Sequence, residues 1–81
     1  MQTQEPRLQV PEALADLPPS AKLTWSIVEL EGPISREEVI DRSRLPTRTV
    51  ADALKRLRED DVVERAVSLE DSRVRLYRTV E

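Results

Sequence analysis

The chain of 81 residues contains no cysteine and no histidine, and these absences remove most enzyme chemistry. Without cysteine there is no disulfide, no thiolate nucleophile and no thiolate-ligated metal. Without histidine, the usual general base and the most common neutral metal ligand are also missing. No glycine-rich loop or oxygen-rich calcium loop compensates, since the chain holds a single glycine. We therefore expect a protein that is not an enzyme and needs neither a metal nor another cofactor.

Aromatic residues and long apolar runs are also scarce. Aromatic residues make up 2% of the chain and hydrophobic residues 38%, so we expect one small domain with an aliphatic core. No apolar run approaches the roughly 18 residues that span a bilayer, and the N-terminus lacks the basic start and apolar segment of a signal peptide. The sequence therefore predicts a soluble, cytoplasmic protein with no membrane partner.

Acidic residues exceed basic ones overall, but the two signs are unevenly distributed. The formal net charge is −3, and residues 1–31 account for all of it, because residues 32–81 hold equal numbers of each sign. Within the second part, residues 42–58 carry six basic side chains against Asp52 alone. Since salt limits the reach of an exposed charge to about 8–10 Å, such a local positive surface is sufficient for contact with phosphates.

Four of the six prolines lie within residues 1–19, which we interpret as a proline-rich N-terminal tail that is partly disordered. Residues 20–81 then form the folded domain. Within the tail, Pro11 is expected to start a short helical turn that Pro18 ends.

The first helix is predicted to run from an N-cap at Ser20 to about Glu31, where Gly32-Pro33 ends it. Helical spacing gives this segment two apolar faces on opposite sides. The face that we predict to meet the core consists of Leu23, Ile27 and Leu30. The opposite face consists of Ala21, Trp25 and Val28.

A capping box, which is a serine followed three residues later by a glutamate, predicts the start of a second helix at Ser35. This helix runs to about Ser43, and residues 44–46 form the following turn. Thr47 is predicted to cap a third helix, which Asp60-Asp61 ends with one aspartate in a left-handed conformation. Its predicted core side chains are Val50, Ala53, Leu54 and Leu57.

The last twenty residues are typical of a β-hairpin. Val62–Val67 and Arg73–Val80 are predicted strands, Ser68–Ser72 the loop between them, and Tyr77 a packing residue of the sheet. A short extended segment around Ile34 precedes the second helix. The order helix, short strand, helix, helix, strand, strand predicts an α+β winged helix-turn-helix fold, with three helices and a small antiparallel hairpin as the wing.

From about Leu17 to Val80, the chain resembles winged helix-turn-helix regulators of the MarR type and the archaeal relatives grouped with TrmB-like regulators. The resemblance is carried by Pro18-Pro19-Ser20-Ala21-Lys22-Leu23, Gly32-Pro33-Ile34-Ser35, Thr49-Val50, Leu54-Lys55-Arg56-Leu57, Val62-Val63-Glu64-Arg65, Asp71-Ser72-Arg73 and Leu76. It implies that Arg73 enters a minor groove of DNA while Asp71 orients it.

The chain departs from this resemblance in two places. MarR-type proteins usually carry long terminal helices that dimerise and shape a ligand pocket, whereas this sequence stops at the second wing strand. Asp61 replaces a glycine that is common after the third helix. We therefore expect no small-molecule effector.

The sequence predicts that this domain binds double-stranded DNA sequence-specifically in transcriptional regulation, with the third helix in the major groove and the wing in the minor groove. The candidate DNA-contacting residues lie on the turn, the third helix and the wing: Arg44, Thr47, Arg48, Thr49, Asp52, Lys55, Arg56, Asp71, Arg73 and Arg75. Three alternatives remain open. The helix residues form a solvated face with Arg48–Asp52 and Asp52–Arg56 pairs, the wing arginines protect an edge strand, or the whole domain is a protein-interaction module of a transcription or replication complex.

A homodimer is the second predicted partner, because reading a DNA site with two half-sites requires two copies of so small a domain. The apolar surface left over on the first helix, made of Ala21, Trp25 and Val28, is the candidate dimer interface. In the alternative, Leu14 and Leu17 fold back over this face and the protein is a monomer.

Overall fold

Three helices and one small sheet make up the protein in the computed structural model, which describes residues 11–80. The elements in chain order are a short 3₁₀ turn at Glu12–Leu14, α1 at Pro19–Glu31, β1 at Ile34–Ser35, α2 at Arg36–Ser43, α3 at Thr47–Glu59, β2 at Val63–Val67 and β3 at Arg75–Thr79. This order confirms the predicted α+β winged helix-turn-helix fold.

The sheet is antiparallel and has β3 in the middle, between β1 and β2. In the hairpin, Val63 pairs with Thr79 and Val67 with Arg75. On the other side of β3, Ile34 pairs with Tyr77, and both side chains are buried. Tyr77 is therefore a packing residue, as predicted, and it attaches the wing to the helical core.

The structure buries the face of α1 that was predicted to be free, together with Ile27 of the face that was predicted to meet the core. Leu23 and Leu30, which were predicted to face the core, are 42% and 70% exposed. Ala21, Trp25 and Val28 are buried instead. The prediction that these three residues form a free dimer interface is therefore wrong, because their side chains are part of the hydrophobic core.

The residues before α1 help to explain this burial. Leu14 and Leu17 are buried and belong to the same hydrophobic cluster as Trp25. Their burial agrees with the alternative in which they fold back over α1. The packed unit therefore begins before residue 20, whereas residues 1–10 of the predicted tail lie outside the described residues.

The capping box at the start of α2 is present as predicted. The Ser35 hydroxyl accepts a hydrogen bond from the Glu38 amide at 3.1 Å, and the Glu38 carboxylate accepts one from the Ser35 amide at 3.0 Å. The backbone and side-chain hydrogen bonds from Ser35 hold the pKa of Glu38 below its ordinary value of 4.5. The ionised carboxylate therefore stabilises the folded state.

We expect this cap to make stability depend on pH. Because the folded-state pKa of Glu38 is depressed, its contribution is fully present above about pH 4.5 and is lost as the pH falls through the folded value. Glu38→Gln should therefore lower the melting temperature at pH 7 relative to the wild type, and the difference should shrink as the pH falls below 4.5. Thermal unfolding of both proteins across this range tests the expectation, and an equal difference at every pH would contradict it.

The start of α3 differs from the prediction by one residue. Pro46 is the N-cap, and Thr47 is the first helical residue, with no side-chain hydrogen bond at the cap. The Pro46 carbonyl accepts from the Val50 amide at 3.1 Å, so the helical ladder starts one residue early. The prediction that Thr47 caps the helix is therefore wrong. At the other end, Asp61 has φ = 61°, which confirms the left-handed aspartate.

Gly32 ends α1 at a point where two stretches of backbone come close. A Cβ atom at this position would lie 2.5 Å from the Val28 carbonyl oxygen and 3.0 Å from that of Tyr77. Both are backbone atoms, which a rotamer change cannot move aside. The only glycine of the chain therefore lies where the backbone of α1 and that of β3 leave no room for a side chain.

We expect Gly32→Ala to lower the free energy of unfolding by about 1–3 kcal/mol, because the backbone must shift to admit the methyl group. For a domain of this size, each kcal/mol corresponds to about 4–8 °C of melting temperature. Circular dichroism during heating measures the change. Lys22→Ala, on the exposed side of α1, is the matched control and should change stability by less than about 0.5 kcal/mol. An unchanged melting temperature for Gly32→Ala would rule out the close approach.

Candidate nucleic-acid interface

The charged face of α3 points away from the core. Val50, Leu54 and Leu57 are buried on the inner side of this helix. The outer side carries the predicted DNA-contacting residues, of which Thr49 is half-buried at the edge and the others are exposed: Arg48, Asp52, Lys55 and Arg56. The structure thus brings all five onto one helical surface.

The ion pairs on α3 lie one turn later than the solvated-face alternative predicts. Lys55 pairs with Glu59 and Arg56 with Asp60, each at 3.4 Å. Within residues 11–80, no ion pair joins Asp52 to Arg48 or Arg56. The side chains of Lys55 and Arg56 are both more than half exposed. Each pair therefore contributes only about 0.3–0.5 kcal/mol to stability, and either basic side chain can readily bind another partner instead.

Asp52 lines a cavity of about 280 Å³ between α3 and the start of α1. Thr49 and Arg56 line the same cavity from α3, and Ser20 lines it from the first turn of α1. Asp52 thus lies on the side of α3 that borders the start of α1.

The wing is closed by a turn that shortens the second predicted strand at its start. The Val74 amide donates to the Asp71 carbonyl at 2.9 Å, and the Ser68 amide donates to the Val74 carbonyl at 3.0 Å. β3 therefore begins at Arg75 rather than at Arg73. This leaves Arg73 in the loop, where its side chain is 88% exposed.

Asp71 holds Arg73 through three hydrogen bonds. The Asp71 carboxylate accepts from the Arg73 amide at 3.0 Å, from Nε at 3.1 Å and from Nη2 at 3.2 Å. These bonds keep the pKa of Asp71 below its ordinary value. The contact that the resemblance implies between the two side chains is thus present, and it holds a fully exposed guanidinium in one orientation.

A second group of arginines lies at the base of the wing. A cavity of about 440 Å³ is lined by Arg36 and Glu37 at the start of α2 and by Arg65, Arg73, Val74, Arg75 and Tyr77 on the hairpin. Arg65 pairs with Tyr77 across the two strands, which puts both side chains on the same face of the sheet. Arg75 is fixed further by a 2.9 Å hydrogen bond to the Ser72 carbonyl.

Sequence reasoning missed Arg36 and Arg65 as site residues. Strand alternation was the available signal for Arg65, since it follows Val63 by two positions and lies opposite Tyr77. Arg36 had no such signal, because its position depends on the pairing of β1 with β3. Only that pairing brings the first residue of α2 next to the hairpin.

The two remaining predicted residues, Arg44 and Thr47, lie at the two ends of the turn between α2 and α3. Arg44 closes α2 in a left-handed conformation, with φ = 62°, and its amide donates to the Ile40 carbonyl at 2.9 Å. Thr47 is exposed at the first position of α3. Both residues therefore lie close to the N-terminal end of α3 along the chain.

Two kinds of feature are absent from the described part of the chain. No group of three or more acidic side chains gathers there into an arrangement that could hold a metal ion. No helix within residues 11–80 has the length and apolar character needed to cross a membrane.

Solved structures with the same arrangement of helices and strands are found among transcriptional regulators. A probable transcriptional regulator from Pseudomonas aeruginosa aligns with a TM-score of 0.77 and 17% identity, over 82% of this chain and 50% of that chain. For ZitR from Lactococcus lactis the TM-score is 0.77 and the identity 21%, over 95% and 52% of the two chains. For MarR the values are 0.72 and 22%, over 80% and 47%.

The fold is the MarR-type winged helix. The resemblance inferred from the sequence motifs is thereby confirmed for the fold. The chain spans about half the length of the MarR-type structures that it matches. Neither a protein-family model nor a curated protein matches the sequence.

Proposed function

We propose that this MarR-type winged helix binds double-stranded DNA sequence-specifically in transcriptional regulation. The observation that carries the proposal is the Asp71–Arg73 pair, an exposed guanidinium that is oriented before any partner arrives. A side chain fixed in advance loses less conformational entropy on binding than a free one. An arginine in this state suits the narrow, negatively charged minor groove.

The third helix supplies the sequence readout in this proposal. α3 lies in the major groove and presents Arg48 and Thr49 to base edges near its N-terminal end, the part of a recognition helix that usually reads bases. Lys55 and Arg56 contact phosphates, for which they exchange their exposed partners Glu59 and Asp60. Asp52 accepts from a cytosine amino group or keeps its place beside the start of α1.

In this proposal, the arginine-lined cavity at the base of the wing lies between the minor-groove contact of Arg73 and the major-groove contact of α3. A wing that reaches into a minor groove straddles the phosphate backbone that separates this groove from the major groove. Arg36, Arg65 and Arg75 line the concavity at this position, and guanidinium groups bind phosphate oxygens in a bidentate manner. In our proposal they hold one backbone phosphate and position the domain without reading sequence.

The experiment is a selection from random-sequence duplexes, followed by fluorescence anisotropy of the enriched duplex between 50 and 500 mM salt. We expect log affinity to fall linearly with log salt, with a slope of about −0.9 for each phosphate contact. We also expect amide chemical-shift changes on α3 and the wing loop. The failure of any duplex to be enriched, together with weak binding that ignores salt, would instead favour the protein-interaction module.

A further inference from the structure

The loop at the tip of the wing carries a leucine that the rest of the described chain leaves uncovered. Leu69 is fully exposed, although a leucine side chain is more stable in an apolar environment than in water. The two exposed leucines of α1, Leu23 and Leu30, both keep part of their surface covered. Leu69 is therefore the most exposed large apolar side chain among residues 11–80.

Hydrogen bonds on both sides of Leu69 order the backbone of this loop. The Ser68 amide donates to the Val74 carbonyl at 3.0 Å, and the Glu70 amide donates to the Ser68 hydroxyl at 3.2 Å. The bond between Ser68 and Val74 closes the hairpin, so Leu69 and Arg73 are the first loop residues on its two sides. The exposed leucine and the oriented guanidinium of Arg73 thus belong to the same ordered loop.

The charges at the tip of the wing do not attract DNA. Between Leu69 and Arg73 the loop contains two acidic residues, Glu70 and Asp71, and no basic one. An apolar side chain at this place has a different use, because proteins that bend DNA from the minor groove insert leucine and similar side chains between neighbouring base pairs. The inserted side chain leaves water and packs against the separated bases.

We propose that Leu69 is an apolar wedge, which enters a base step beside the minor-groove position of Arg73 and bends the duplex. This inference rests on the proposed function, since it requires the wing to lie in a minor groove. Arg73 holds the loop in the groove, and Leu69 separates two stacked base pairs next to it. Because pyrimidine–purine steps unstack most easily, the wedge adds a sequence preference at a step without any hydrogen bond to a base.

Base unstacking provides the first test, on the selected duplex with 2-aminopurine in place of each adenine in turn. The fluorescence of this base rises when it leaves the stack, so wild-type protein should increase it at one step. Leu69→Ala should give no increase, and it should bind the duplex about 10-fold more weakly. Leu30→Ala makes the same change at an exposed leucine of α1 and should behave as the wild type does. An equal increase for Leu69→Ala and the wild type would contradict the proposal.

Two further variants separate a wedge from a side chain that only lies near the phosphate backbone. Leu69→Met keeps a long apolar side chain and should keep the bend, measured by energy transfer between dyes at the two ends of the duplex. Leu69→Lys introduces a cation that attracts phosphates, so it should lose the bend while it still binds in a salt-dependent manner. A duplex that is equally bent by the wild type and by Leu69→Lys overturns the proposal.

A change in the DNA provides a test that a purely structural role of Leu69 would not satisfy. Replacement of the unstacked pyrimidine–purine step by a step that resists unstacking should weaken wild-type binding by about 5-fold or more. The same replacement should leave the affinity of Leu69→Ala unchanged, because this variant does not open the step. Equal losses for the two proteins would mean that the step is read by another residue.

The outcomes distinguish this inference from the proposed function. If the wild type binds no duplex in a salt-dependent manner, the proposed function fails and the wedge fails with it. If Leu69→Ala binds and bends the selected duplex as the wild type does, only the wedge fails, and a protein partner is the better occupant for the leucine. Since Leu69 is fully exposed, Leu69→Ala should melt at the wild-type temperature, so a loss of affinity reports on the contact with DNA.

Discussion

We expect Arg48→Ala to weaken binding to the selected duplex by about 1–3 kcal/mol, or about 5- to 150-fold, and to relax sequence preference at one position. The reason is the loss of an outward guanidinium near the N-terminal end of α3. Arg56→Ala should instead reduce affinity for all duplexes about equally and make the salt slope shallower by about 1, because a phosphate contact carries no sequence information.

Arg78→Ala is the matched control for these arginine variants. It removes the same charge from an exposed side chain that pairs with Glu64 at 2.6 Å, on the face of the sheet opposite Tyr77. Anisotropy titrations at one salt concentration should show a change of less than about 3-fold for this variant. Unchanged affinity for the double variant Arg48→Ala with Arg56→Ala would remove α3 as the recognition helix.

The wing should show strong coupling between its two central residues. We expect Arg73→Ala to reduce affinity by about 1–3 kcal/mol, and Asp71→Ala to reduce it by less, because the arginine remains but loses its orientation. The double variant should then cost less than the sum of the single changes, with a coupling energy of about 0.5–3 kcal/mol.

Affinity for the selected duplex, measured for the four proteins of this double-mutant cycle, gives the coupling energy. Melting temperatures of the same four proteins check that the wing turn still forms, since Asp71 also accepts from the Arg73 backbone amide. Asp71→Asn refines the result, because asparagine keeps an acceptor for that amide and removes the charge that holds the guanidinium. Fully additive losses would mean that Asp71 acts independently of Arg73.

Short-range sequence patterns were sufficient to predict most of the helices and strands. The capping box of Ser35 and Glu38 predicted the start of α2, because both partners lie within one turn of the chain. The apolar spacing of α3 identified its buried side, since this helix has a single apolar stripe and a charged opposite side. The contact between Asp71 and Arg73 was implied by the resemblance of the wing to MarR-type regulators.

Contacts between segments that are distant in the chain could not be predicted from short-range sequence patterns. Arg36 and Arg65 line one cavity only because β1 pairs with β3 and brings the start of α2 to the hairpin. The periodicity of the sequence contains no information about this pairing. The second close contact at Gly32, 3.0 Å from the Tyr77 carbonyl oxygen, likewise depends on a segment from the other end of the domain.

The sequence by itself determined the winged-helix order and the inner face of α3, because each depends on residues close together in the chain, and the Asp71–Arg73 contact was implied by the family resemblance. Only the tertiary structure decided which face of α1 is buried. Periodicity identified two apolar faces, and both were suitable for a core. In the fold, α1 packs on α3, and Leu14 and Leu17 are buried in the same cluster as Trp25. Leu23 and Leu30 remain exposed. Periodicity could not decide this, because the burial of a helical face depends on which distant segments pack against it.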